Sequence, residues 1–156
     1  MDALALQTDG KVLLGGWFTA LGAQPCSFLA RVNADGTVDT NFFAGTDGPV
    51  YSMAVQEDGK IIVGGWFSAM NGDWRDFLGR LNPDGTLDTG FNPAANSTVY
   101  CLAQQADGKI LVGGNFTTLD GQTHNRLARL NPDGSVDASF NPNANETIYC
   151  LASAIG

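Results

Sequence analysis

Among residues able to act as acid, base, nucleophile or metal ligand, the chain has one histidine, three cysteines and sixteen acids against eight bases. His124 stands between Thr123 and Asn125, and a general base or a metal site would need it to meet other suitable groups, with no second histidine to help. It is expected on a surface loop. Cys26, Cys101 and Cys150 form no C-x-x-C, and Cys101 and Cys150 occupy equivalent places in successive copies of one unit. They are expected to pack as small apolar groups rather than to form a disulfide. The acids Asp9, Asp58 and Asp107, with Asp35, Asp84 and Asp133, each precede a glycine. Calcium would need six to eight converging oxygens, and the spaced D-x-[DN]-x-[DN]-G loop that supplies them is absent, so turns explain these acids. Asp73 and Asp76 break the repetition and flank Trp74 and Arg75, a composition that could stack on and hydrogen-bond a sugar. No nucleophile accompanies them, so no catalytic residue, metal or cofactor is assigned and the chain is not read as an enzyme.

The repetition that places these residues has a fixed step. Asp9-Gly10-Lys11 recurs at Asp58-Gly59-Lys60 and Asp107-Gly108-Lys109, 49 residues apart each time, and Gly15-Gly16, Arg31 and Asp35-Gly36 recur at the same step. Residues 52–100 laid on 101–149 give 26 identities without a gap. The units are 1–49, 50–98 and 99–147, with 148–156 beginning a further inner strand. In the third unit, strands are expected at Val99 to Gln105, Lys109 to Phe116, Arg126 to Asn131 and Ser135 to Phe140. Asp-Gly pairs close the first and last hairpins, since glycine adopts the positive φ that costs another L-residue roughly 1–2 kcal/mol. Thr117 to Asn125 reads as a variable loop. A four-stranded meander repeated every 40 to 50 residues buries its faces only against its neighbours, which is the logic of a propeller blade. Phe18, Phe67 and Phe116, with Phe42, Phe91 and Phe140, are the expected wedges between blades. Asp39, Asp88 and Asp137 could pair across the last hairpin with Arg31, Arg80 and Arg129.

The unit L-A-x-Q-x-D-G-K-I-x-V-G-G-x-F followed by R-L-N-P-D-G-S-x-D-x-x-F-N-P, as it stands in Leu102 to Pro142, resembles the delta-60 repeat of a bacterial β-propeller family of otherwise unknown function. The resemblance covers essentially the whole chain. The first unit departs most, with Val32-Asn33-Ala34 for Leu-Asn-Pro and Phe43-Ala44 for Asn-Pro. It implies surface-exposed or secreted bacterial proteins built from tandem copies, and it carries no catalytic residues with it.

The fold expected is therefore all-β, of propeller type, with three four-stranded antiparallel blades forming part of a ring or half of an oligomeric one. Propellers typically hold four to eight blades, so open faces and a free strand edge would call for self-association or an intimate protein partner. A net charge of -8 argues against nucleic acid, because nothing here could neutralise a run of phosphates. No apolar run approaches the roughly 20 residues of a membrane helix, and the first residues lack the pattern of a signal peptide. The expected role is a non-enzymatic structural or interaction module, extracellular or on a cell surface. Glycan binding is the alternative, with glycan hydrolysis behind it. Aromatic residues the scaffold does not require are the best contact candidates: Trp17 and Trp66, replaced by Asn115 in the third unit, together with Trp74, Asp73, Asp76 and His124. The three N-x-S/T sequons at Asn96, Asn115 and Asn145 are taken as accidental.

Overall fold

A computed structural model describes residues 1–152, and that whole span is strands, turns and loops without a helix. The first blade holds β1 (Ala3–Leu6), β2 (Val12–Gly15), β3 (Ala20–Leu21), β4 (Gln24–Pro25) and β5 (Leu29–Val32). The second holds β6 (Val50–Val55), β7 (Ile61–Gly65), β8 (Ala69–Met70), β9 (Asp73–Trp74) and β10 (Leu78–Leu81). The third holds β11 (Val99–Gln104), β12 (Ile110–Gly114), β13 (Thr118–Leu119), β14 (Gln122–Thr123) and β15 (Leu127–Leu130). Each blade is an antiparallel sheet with its second strand in the middle, in the orders β1-β2-β5, β6-β7-β10 and β11-β12-β15. Inner strand β1 packs beside β6, and β6 beside β11, so the blades follow one another in an open arc.

The hairpin between the first two strands follows from its residues. Gly10 N donates to Gln7 O at 3.0 Å and Gln7 N to Lys11 O at 2.8 Å, while Gly10 takes φ 83°. This is a type I turn closed by a left-handed residue, which matches the twist of the flanking strands. Asp9 Oδ1 accepts from Lys11 N at 3.1 Å, the local bond that suits Asp to such a turn.

Two expectations change in detail. The fourth strand of each blade shrinks to one bridge, Val32 with Val38, Leu81 with Leu87 and Leu130 with Val136. Asp39 ends the pairing, because its Oδ1 accepts from Asn41 N and its carbonyl from Phe42 N. The chain thereby curls back and lays Phe42 beneath the Arg31 guanidinium, 4.2 Å from the ring centre. The variable loop is itself a hairpin, β13 with β14 in the third blade. Its corner, Asp120-Gly121, has both φ values positive at 49° and 70°, as has Asn71-Gly72 at 52° and 86°. That is the two-residue turn for which Asn-Gly and Asp-Gly are suited.

The core lies between blades rather than within them. One cluster joins Leu13, Leu29 and Phe42 of the first blade to Val50, Met53, Ile61 and Val63 of the second. The other joins Ile62, Leu78 and Phe91 of the second to Val99, Leu102 and Ile110 of the third. Alternate residues of β7 thus face opposite neighbours, as a strand's two-residue period requires. The Gly-Gly pairs admit these contacts: a Cβ on Gly15 would lie 2.6 Å from Val50 Cγ1, and one on Gly64 2.6 Å from Val99 Cγ1. The wedges at the ends of the arc, Phe18 and Phe140, are only half-buried, whereas Phe91 and Phe116 are fully buried.

The further inner strand expected within 148–156 is not formed in its described part, residues 148–152, and residues 153–156 lie outside the described residues. An inner strand pairs with the second strand of its own blade, and no such strand follows among the described residues. Ile148 nevertheless takes the place of Val50 and Val99, its Cγ2 2.8 Å from where a Cβ on Gly113 would be.

Candidate functional site

The recurring polar residues are consumed by the scaffold. Asp39 Oδ2 holds Lys11 Nζ at 2.8 Å and Arg31 Nη2 at 2.9 Å, and the arrangement repeats at Asp88 with Lys60 and Arg80 and at Asp137 with Lys109 and Arg129. The expected Arg–Asp ladder is present in every blade. It also ties blades together, since Arg31 Nη1 donates to Pro83 O at 2.6 Å and Arg80 Nη1 to Pro132 O at 2.8 Å. The Lys11 ammonium holds the Asp39 carboxyl below its ordinary range, against the burial that would raise it. Turn acids Asp35, Asp84 and Asp133 are lowered as well, by the side-chain and backbone donors of Thr37, Thr86 and Ser135.

Free surface is found where units differ. Trp17 and Trp66 are exposed and lie 6.3 Å apart at 33°, side by side in successive blades, with Asn115 exposed at the third position of the row. Tyr51, Tyr100 and Tyr149 make a second row, with ring centres 5.5 and 5.0 Å apart. Both rows sit at one end of the blades, at the start of the inner strand and just beyond the second strand. The tyrosines recur at the 49-residue step, so the row has a signal in the sequence. Trp74 is 69% exposed on the returning strand of the second blade's small hairpin, paired with Ala69, its indole donating to Asp76 Oδ2 at 3.1 Å. Asp73 is exposed beside it.

His124 is a correction. It is only 3% exposed, not a surface residue. His124 N donates to Thr117 O just as Arg75 N donates to Ser68 O and Cys26 N to Thr19 O, so the three share one structural position under the hairpin. The position points inward after a two-residue strand, a direction the unlike side chains Cys, Arg and His conceal. Cys150 also departs from expectation, since it is exposed while Cys101 is buried. Burial pushes the Cys101 thiol up to about 11. All three cysteines are free, and among the described residues no three His, Cys, Asp or Glu side chains gather as a metal site.

Two hollows accompany these features. A cleft of about 280 Å³ lies beside Trp66, Phe77 and Asp47. A larger one, about 840 Å³, opens at the rim of the gap between the first and second blades, lined by Cys26, Arg31, Asp39, Phe43 and Asp47 with Asn71 opposite. Phe28, Phe77 and Arg126 take left-handed φ values of 62°, 61° and 64° at equivalent places beside the small hairpins. Such a conformation is held only where the surroundings over-determine it; here Phe77 N donates to Phe67 O and Phe77 O accepts from Gly65 N.

No curated protein matches the chain. A family model described as a domain of unknown function (DUF5122) beta-propeller matches residues 7–42, 56–91 and 105–140, each time running from the first hairpin through the variable hairpin to the phenylalanine that caps the ladder arginine. These matches span well over half of the chain, at the positions the turns, ladder and wedges occupy, and the chain therefore belongs to the DUF5122 beta-propeller family.

Proposed function

We propose that this chain, of the delta-60 kind within that family, is a non-enzymatic interaction module that associates through its open blade faces, with itself or with an intimate protein partner. The observation that carries this is a contrast at one repeat position. Leu4 is 64% exposed, whereas its equivalents Met53 and Leu102 are 9% and 8% exposed against the preceding blade. Leu6 is exposed beside it, an apolar pair of the kind that marks an interface. At the opposite face Arg129 keeps its bonds to Asp137 but, among the described residues, reaches no proline carbonyl as Arg31 and Arg80 do. Sedimentation equilibrium tests the proposal: a mass above 16.4 kDa that falls to the monomer with Leu4→Asp supports it. A stable monomer of wild-type chain with cooperative melting overturns self-association, leaving a different partner. We further place the module in a bacterial surface or secreted assembly, where tandem repeats of this kind would present their ends outward.

Glycan binding is the second reading, favoured by the exposed Trp17–Trp66 pair, of which Trp66 lines the small cleft, and by Trp74. Its test is a glycan array in which Trp66→Ala and Trp74→Ala each remove binding. Hydrolysis through Asp73 and Asp76 has less support, since Asp76 already receives the Trp74 indole.

A further inference from the structure

The large hollow in the first gap has a filled counterpart one unit along. In the second blade Arg75 is buried, its Nη1 donating to Trp74 O at 2.6 Å and its Nη2 set 3.5 Å from Thr89 O. In the first blade the equivalents of Arg75, Trp74 and Thr89 are Cys26, Pro25 and Thr40, and all three line the hollow. The two carbonyl positions that hold a guanidinium are thus repeated around a cysteine too short to reach them. Room for the longer side chain exists, because a Cβ on Gly79 would lie 3.6 Å from Arg75 Cγ, an ordinary contact, and Ala30 stands at that place in the first blade.

The charge at the rim agrees. Asp39 is neutralised by Lys11 and Arg31, but Asp47 forms no ion pair among the described residues. Its Oδ1 accepts from Ser68 N and Ala69 N and its Oδ2 from Ser68 Oγ. The second gap makes the same backbone bonds with a neutral residue, Asn96, to Thr117 N and Thr118 N. The first gap therefore has a carboxylate in place of an amide, and lacks the guanidinium. Phe43, exposed at the lip, offers a flat face for a cation or a planar group. The hollow falls within the roughly 300–1,000 Å³ of small-ligand sites, enough for one long side chain and its neighbours.

We infer that this hollow is a receptor for an arginine side chain of a peptide or protein partner, which would supply in trans the guanidinium that Arg75 supplies in cis one blade further on. The inference goes beyond association through the blade faces and does not depend on it, since the hollow lies at the rim of an internal gap. The probe is the peptide acetyl-Gly-Gly-Arg-Gly-Gly-amide, compared with its citrulline and lysine forms, on the Cys150→Ser chain. Binding is read by calorimetry and by the rate at which Cys26 is alkylated, with the modified residue located by mass spectrometry.

The arginine peptide is expected to bind and to slow alkylation of Cys26, the citrulline peptide to do neither, and the lysine peptide to bind more weakly because it lacks the planar fork. Asp47→Asn, a residue the second gap already accommodates, should weaken the arginine peptide about fivefold. Cys26→Arg should abolish binding and raise the melting temperature by roughly 2–4 °C. Equal binding of the citrulline peptide, or full alkylation of Cys26 under saturating arginine peptide, overturns the inference. Should Cys26→Arg fail to fold, the citrulline comparison and Asp47→Asn still decide it.

Discussion

The two gaps between blades share a backbone, a ladder and an apolar core, yet one is filled at its rim and the other is hollow. In both, an Arg–Asp–Lys group rides over a phenylalanine and an arginine reaches the next blade's proline carbonyl. In the second, Arg75 is buried at the rim, while the first has only half-buried Cys26. The contrast separates what the repeat must keep from what each copy can vary. The ladder residues and the phenylalanine beneath them recur in every unit, and the inter-blade positions of the inner strands stay apolar; residues at the rim and on the small hairpins change in charge and size while the backbone bonds around them stay the same.

The sharpest way to break that division is to cut the shared part. Leu102→Ala and Met53→Ala, each removing a buried inner-strand side chain from one gap, should cost about 2–5 kcal/mol in urea unfolding, and by similar amounts. Leu4→Ala, at the same repeat position but exposed, should stay within about 0.5 kcal/mol in a monomeric chain. A large loss at Leu4 alone would mean that its face is covered in solution.

The ladder comes next. Asp88→Asn leaves Arg80, with its side chain 8% exposed, short of its carboxylate, and removing one partner of such a buried pair costs about 3 kcal/mol or more. Asp39→Asn should match it if the two gaps are equivalent. The same group sets an acid limit. The carboxyls of Asp39, Asp88 and Asp137 are all held below their ordinary range, so their contribution is complete above the unfolded value of about 3.9. It is lost as pH falls through the lower folded values. Melting temperature should be flat from pH 7 to 5 and drop below pH 4; a chain equally stable at pH 2.5 would contradict the ladder's role.

How much of this could be read in the chain follows the same division. The blades, the Asp-Gly hairpins, the Arg–Asp pairing and the core phenylalanines were legible because each is imposed by a local rule and then stated three times. The fourth strand was misjudged because Val38-Asp39 looks like alternation, while the Asp39 side chain turns the backbone. The small hairpin was passed over despite Asn71-Gly72 and Asp120-Gly121, since two-residue strands carry no apolar period. His124 and its equivalents were opaque for a different reason: burial there depends on how the chain folds around the small hairpin, which leaves no trace in residue type. The candidate site lies where the copies disagree, so repetition, the strongest signal, is silent about it.

The smallest effect is also the most specific comparison. Asn96→Asp gives the second gap the carboxylate of the first. Since Asp47 takes the two backbone bonds that Asn96 takes, stability at pH 7 should move by no more than about 0.5 kcal/mol. Burial would raise the Asp47 carboxyl, but the donors from Ala69 N, Ser68 Oγ and Ser68 N outweigh it and hold it below its ordinary range. A carboxylate at position 96 should be lowered likewise by Thr117 N and Thr118 N. Its stabilising share is then present above about pH 4 and lost as pH falls further, so the difference in melting temperature between Asn96→Asp and wild type should turn against the variant in acid. If the two melting curves stay parallel from pH 7 to 3, the carboxylate at this corner gains nothing from its backbone donors, and the two rims differ in charge without differing in how they hold it.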